Sequence, residues 1–137
     1  MLTQYPAVLP LLNSELVGWL TTVHADVQPQ SSAIWFVVDG DQLIIYSRPS
    51  ATRLTNIAIH PKVAFNLRGD PEGDETLSLE GHAMIDPATP NPVECVSYMQ
   101  KYGSEILRLG WTHEQYGGLF TVPVRVTVAR VRHFVHS

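Results

Sequence analysis

The stretch that decides the fold runs from Pro29 to Leu67, PQSSAIWFVVDGDQLIIYSRPSATRLTNIAIHPKVAFNL. Gln30 to Val38 has the β-branched and aromatic content of a strand, and Leu43 to Ser47 repeats it. Between them Asp39, Gly40, Asp41 and Gln42 carry the Asp-Gly signal of a tight hairpin, which makes the two strands antiparallel neighbours. A helix follows, with Ser50 as its N-cap and Leu54, Ile57 and Ala58 as a buried stripe at helical spacing. Pro61 stops that helix, and Lys62 to Leu67 is the next strand. From Gln42 to Gly69 the chain holds Arg48, Arg53, Lys62 and Arg68 and no acid, although its formal net charge is -4. Arg53 falls in the first turn of the helix, where the backbone is already positive and Asp or Glu is the usual choice. The arrangement calls for something negative.

Outward from this block, Pro6 and Pro10 limit the N-terminus to a short, broken helix before Asn13, and Leu16 to Val23 is a first strand leading into the polar turn His24 to Pro29. Beyond Leu67, Arg68 to Glu75 is an acidic exposed loop and Thr76 to Ile85 resumes the sheet. Asn91, Pro92 and Glu94 supply N-cap, N1 proline and N3 acid for a helix to about Leu109, with Gly110 past its end. Trp111 to Gly118 holds a single turn, and the alternating valines of Phe120 to Phe134 make the last and longest strand. The expected class is mainly β (α+β): one domain over residues 1–137, a six-stranded antiparallel split β-barrel with a few flanking helices. Doubly wound α/β is excluded by the absence of strict alternation and of any GxGxxG or GxxxxGK turn.

At 137 residues, 45% hydrophobic and 16% charged, the chain can bury one real core. The negative net charge and localised basic residues exclude a general nucleic-acid binder and point to a small anion. The apolar N-terminus lacks a basic leader and is interrupted by Pro6, Pro10 and Glu15, so neither a signal peptide nor a membrane span is expected. A single cysteine, Cys95, forms no internal disulfide and suits a cytoplasmic protein. Six histidines form no HxxxH or HExxH pattern, so no metal site is expected. No GxSxG elbow exists, and Cys95 falls within an amphipathic helix where a buried structural thiol is the commoner role, so no catalytic residue is assigned. Any redox chemistry would then fall to a bound cofactor.

The strongest functional cluster is Ser47, Arg48, Ser50, Thr52 and Arg53. Hydroxyls, helix-start N–H groups and two permanent positive charges within seven residues are what a phosphate ester needs. Two readings stand at this point: a phosphate site, or arginines that extend to solvent or pair with Asp70, Glu72 or Glu75. Trp35, across the hairpin from the cluster, is the aromatic expected to line the same cleft.

These residues resemble a known family. The Trp35-Phe36 pair, the Asp-Gly-Asp hairpin, the Tyr46-Ser47 strand end, basic Arg53, Asn56 and Pro61 to Val63 are similar to the signature of the split-barrel flavin-binding superfamily that includes pyridoxamine 5'-phosphate oxidase, and especially of its F420-dependent branch. The resemblance implies a homodimer with cofactor sites at the subunit interface, and F420 as cofactor, with FMN as the alternative. It implies that Ser47, Arg48, Ser50, Thr52 and Arg53 hold the cofactor phosphate while Ser31, Ser32 and Trp35 lie along its rings. Hydride would pass to a small conjugated or quinone-like substrate, with no dedicated acid or base. A non-catalytic flavin or deazaflavin carrier, or a haem-type binder, is the competing class. Lys62, Arg125, Arg130 and Arg132 are either cations for the acidic tail of F420 or solvated surface, and Trp111, Tyr116 and Phe120 either close over the cofactor from the partner subunit or form interface core. Vitamin B6 chemistry is not implied, since QSSAIWF lacks the Arg and Lys strand of the pyridoxamine phosphate oxidases and RVTVARVRHF lacks their C-terminal motif.

Overall fold

The structure is a computed structural model that describes residues 2–136. The hairpin at Asp39 to Gln42 forms as expected: β3 (Val37–Asp39; β1 and β2 precede it) pairs antiparallel with β4 (Gln42–Ser47), and Gly40 takes the positive φ of 61° that this tight turn requires. The single strand expected over Gln30 to Val38 is instead broken in two. Its first half, β2 (Pro29–Ile34), pairs with β1 (Gly18–Val23), and its second half is β3. With β5 (Lys62–Leu67), β6 (Glu75–Ile85) and β7 (Val122–Val135), this gives seven strands in the order β2-β1-β5-β6-β7-β4-β3. Every neighbouring pair is antiparallel.

β2 and β3 stand at opposite ends of that order, yet only Trp35 and Phe36 separate them. Two intervening residues bridge no more than about 10 Å. The sheet therefore curls until its two edges meet at this corner, giving the antiparallel split barrel with seven strands in place of six. A corner leaves backbone groups outside the ladder, and a buried unpaired amide is costly. Here α3 (Val96–Arg108; α1 and α2 precede it in the chain) supplies the partners. The Phe36 N–H donates to the Tyr102 hydroxyl at 2.9 Å, and the Phe36 carbonyl accepts from Lys101 Nζ at 3.0 Å. Tyr102 passes its own proton to the Leu16 carbonyl at 2.7 Å, and Lys101 also donates to the Leu12 carbonyl at 2.9 Å. The Trp35 ring lies flat on Tyr102, with centroids 4.5 Å apart and 7° between planes.

β4 explains the unbroken apolar run LIIYS. Leu43 and Ile45 enter the barrel core beside Leu20, Phe36, Phe65, Leu79 and Val126. Ile44 and Tyr46 face the other way, into a second cluster with Val37, Tyr98, Tyr102, Ile106 and Tyr116. Both faces of the strand are covered, so neither needs polar residues. α1 (Val8–Ser14) and α2 (Thr52–Ile59) close the barrel with Val8 and Leu12 and with Leu54 and Ile57.

The helix starts differ from expectation. Ser50 is not an N-cap: the Ala51 N–H bonds to the Arg48 carbonyl at 3.0 Å, closing a turn with Pro49 at its second position, and α2 begins one residue later with Ala51 at the cap and no side-chain cap bond. The proline turn outcompetes the serine cap. Within α2, Asn56 takes the buried position that the stripe assigned to Ala58, which is exposed. Asn91 caps a 3-10 turn over Pro92–Glu94, accepting from the Val93 N–H at 3.1 Å, and the chain extends at Cys95 before α3 starts. Cys95 therefore lies just outside the helix rather than within it. Trp111 to Gly118 holds more than a turn, since Thr112 and Gln115 form a reciprocal capping box for α4 (His113–Leu119). No helix among the described residues is long and apolar enough to cross a membrane.

β6 and β7 are the longest strands, and their register shifts at Glu80/Gly81. Gly81 is required there because a Cβ would lie 2.0 Å from the Thr127 carbonyl oxygen. Gly81→Ala is expected to destabilise the fold by several kcal/mol, roughly 3 or more, since backbone on both strands must move; urea unfolding measures it.

Burial lowers the Lys101 pKa from 10.5 to about 8, against an opposing pull from Glu15. The unfolded chain thus binds the proton more tightly, so this group penalises the fold below about pH 8 and the penalty is relieved as pH rises to 10.5. A neutral amine keeps N–H donors for both carbonyls, so the corner survives deprotonation. Relative to Lys101→Met, the wild-type protein is expected to gain about 1 kcal/mol across that window, a figure discounted for solvent screening of a half-exposed group. Denaturant midpoints of both proteins across the window give the slope.

Candidate functional site

Arg53 is the centre of the site. It projects from the first turn of α2, and burial pushes its guanidinium below the ordinary value, a tendency that the nearby Tyr116 hydroxyl opposes. It stays charged, because an arginine far above neutrality has room to shift. Nε donates to Ser47 Oγ at 2.8 Å and Nη1 to Ser32 Oγ at 3.4 Å. Ser47 is fully buried at the end of β4, so its hydroxyl orients Arg53. Among the described residues, neither Arg48 nor Arg53 forms an ion pair with an acid. Three acids of the following loop are engaged elsewhere: Asp70 accepts from the Glu75 N–H, Glu75 meets His133 at 3.0 Å and Asp74 meets His136 at 3.4 Å.

Arg53 separates two cavities. One is a polar cleft of about 570 Å³ lined by Thr22, Gln30, Ser31, Ser32, Ala51, Thr52, Arg53 and Asn56. Asn56 is 1% exposed and its Nδ2 donates to Thr22 Oγ1 at 2.9 Å and Gln30 Oε1 at 2.8 Å, which leaves Oδ1 buried without a partner. A buried acceptor left in that state is a polar demand that the chain itself does not meet. The other cavity, about 310 Å³, is aromatic and aliphatic, with Trp35, Tyr46, Trp111, Tyr116 and Phe120 among its walls and Arg48 and Arg53 as its charges.

The expected site residues thus divide. Ser31, Ser32, Thr52 and Arg53 come together on the polar cleft, while Arg48 and Trp35 lie on the aromatic cavity. Ser47 is behind Arg53, and Ser50 sits exposed in the turn outside both linings. Arg48 packs against the rings of Trp111 and Phe120, 5.5 and 5.2 Å from their centroids. Trp111, Tyr116 and Phe120, expected from a partner subunit, line the cavity of their own chain. Burial raises the Tyr116 pKa, against the pull of Arg53, and its hydroxyl is paired with that of Tyr98. Arg125, one of the spare cations, is held by Asp39 at 2.8 Å and Asp86 at 3.2 Å, and Arg132 is held by Glu80 at 3.1 Å.

Sequence reasoning did not assign Thr22, Gln30 or Tyr46 to the site. The signal for the first two was the β1–β2 register, which sets Thr22 opposite Gln30 beneath Asn56, and that register needs the pairing to be known.

The curled antiparallel sheet, with its hydroxyl-rich cleft between β1, β2 and the start of α2, is a split barrel. The chain belongs to the pyridoxamine 5'-phosphate oxidase family, whose sequence profile matches residues 5–134. Among solved structures, a conserved hypothetical protein from Mycobacterium tuberculosis is similar at 24% identity and a TM-score of 0.76, covering 96% of this chain and 84% of its own. An F420 reductase is similar at 27% identity and a TM-score of 0.60, over 90% of this chain and 94% of its own. A heme storage protein from Vibrio cholerae shares the fold at 18% identity and a TM-score of 0.63, over 96% and 93%. No curated protein matches the chain.

Proposed function

We propose that this chain is a cytoplasmic, homodimeric F420-dependent oxidoreductase whose polar cleft receives the cofactor's phosphate. The observation that carries the proposal is Arg53, a half-buried guanidinium held by Ser47 and Ser32 and facing no carboxylate among the described residues. A phosphate ester supplies the charge it lacks, and Ser31 and Thr52 add hydroxyl donors on the same cleft. The orphan Asn56 Oδ1 fits a hydroxyl-bearing chain or a water placed beside it. When bound, reduced F420 supplies a hydride, two electrons with their proton, to a conjugated or quinone-like acceptor. The chain's own part is to hold the anion at Arg53, to present the Trp35 ring, backed by Tyr102, as a flat wall, and to keep water out of a cavity lined mainly by carbon. The 27% identity with an F420 reductase favours F420 over FMN.

A haem-binding role is less favoured. Neither cavity lining includes a His, Cys or Met, and the hydroxyls of Tyr46 and Tyr116 are committed to the Pro90 carbonyl and to Tyr98. A homodimer accords with the exposed apolar side chains Trp19 and Met84, 42% and 55% accessible on the single chain.

Absorbance titration is expected to show saturable F420 binding, and reduced F420 is expected to be oxidised by some member of a panel of enones and quinones. Saturation by FMN alone would reject the F420 assignment, and binding without turnover would make the protein a carrier. Arg53→Ala is expected to weaken F420 binding by about 1.5 to 3 kcal/mol, roughly tenfold to over a hundredfold, with the fold intact. Sedimentation is expected to give the mass of two chains.

A further inference from the structure

The aromatic cavity carries a charge pattern that the phosphate site does not use. Its lining is Val17, Ala33, Ile34, Ile106 and Leu109 with five aromatic rings, and its only charged members are Arg48 and Arg53. Arg53 is turned to Ser47 and Ser32 on the side of the polar cleft. Arg48, unlike Arg53, lines the aromatic cavity but not the cleft. Among the described residues no protein acceptor takes its N–H donors, and the contacts that hold its guanidinium are the rings of Trp111 and Phe120. Ring contacts satisfy charge but not hydrogen bonding, so a forked set of donors is left at the edge of a carbon-lined space. A planar wall, a small volume of about 310 Å³ and one such fork together define the ligand's chemistry.

We propose that the aromatic cavity binds the hydride acceptor as a small planar conjugated monoanion, its flat ring against Trp35 and its carboxylate or equivalent oxyanion on Arg48. The word acceptor rests on the oxidoreductase proposed above; the recognition of a planar anion does not. Neutral ligands of the same shape lose the bidentate contact and leave Arg48 to solvent, flexible anions gain no ring contact, and a second charge finds no second free cation in this cavity. The two arginines then serve separate partners: Arg53 the phosphate in the polar cleft and Arg48 the oxyanion in the aromatic cavity.

Calorimetric titration of the purified protein without cofactor, using 2-naphthoate and its neutral isostere 2-naphthamide, tests this. The naphthoate is expected to bind about tenfold tighter than the amide, and added salt is expected to narrow the gap. In Arg48→Gln the two ligands are expected to bind alike, to within about twofold, while F420 affinity stays within about the same margin. Arg53→Ala is expected to show the reverse, with weakened F420 and the naphthoate preference kept. With F420 saturating, naphthoate is expected still to bind. Equal affinities in the wild-type protein, a preference that survives Arg48→Gln, no binding of either compound, or competitive displacement of naphthoate by F420 would each overturn the proposal. A protein that ignores F420 but keeps an Arg48-dependent naphthoate preference would reject the oxidoreductase and leave the anion recognition standing.

Discussion

Closure of the barrel depends on how two residues outside any strand satisfy their backbone. At Trp35 and Phe36 the chain leaves one sheet edge and joins the other, and the polar groups freed by that step are taken by Tyr102 and Lys101. Both side chains come from one turn of α3, so that helix completes the corner. The same contact fixes Trp35 by stacking it on Tyr102, which turns a requirement of the fold into a wall of the aromatic cavity. Lys101 is the unusual participant. Its ammonium also lies 3.9 Å from the Phe36 ring centroid, a cation–π contact that offsets part of the cost of taking a charge out of water.

The site follows the same economy of parts. Ser47 ends β4 inside the molecule and aligns Arg53 on α2, so the strand end and the helix start are joined through one short hydrogen bond. That bond sets a positive group on the boundary between a polar and an aromatic space. The family profile agrees with the fold, and the charge on this boundary faces a polar lining on one side and a ring-rich lining on the other. Low local polarity strengthens each such contact relative to water.

Much of this was legible in the sequence. The Asp-Gly hairpin, the helix between Ser47 and Pro61 and the valine-rich last strand are local signals and appear in the structure within a residue or a few. The acid-free run around Arg48 and Arg53 marked a place where, among the described residues, no carboxylate pairs with either arginine. What local pattern could not show was the break at Trp35 and Phe36, because its cause lies 66 residues away in Tyr102. Ser50 failed as a cap although the competing signal was adjacent, in Pro49. The division of Arg48 from Arg53 was also hidden. Five residues apart, they look like one cluster until the Pro49 turn and the α2 start leave Arg48 on the aromatic cavity only and Arg53 on the boundary of both.

The double burial of β4 bears on how such a protein can change its ligand over evolutionary time. Tyr46 shares a strand with Leu43 and Ile45, so this part of the cavity wall cannot vary without disturbing the barrel. Trp111 and Phe120 flank α4 and meet the core less deeply, and Arg48 is exposed. Diversification is therefore channelled to one rim of the cavity, where residues can be exchanged for new specificities while the opposite side stays frozen by folding.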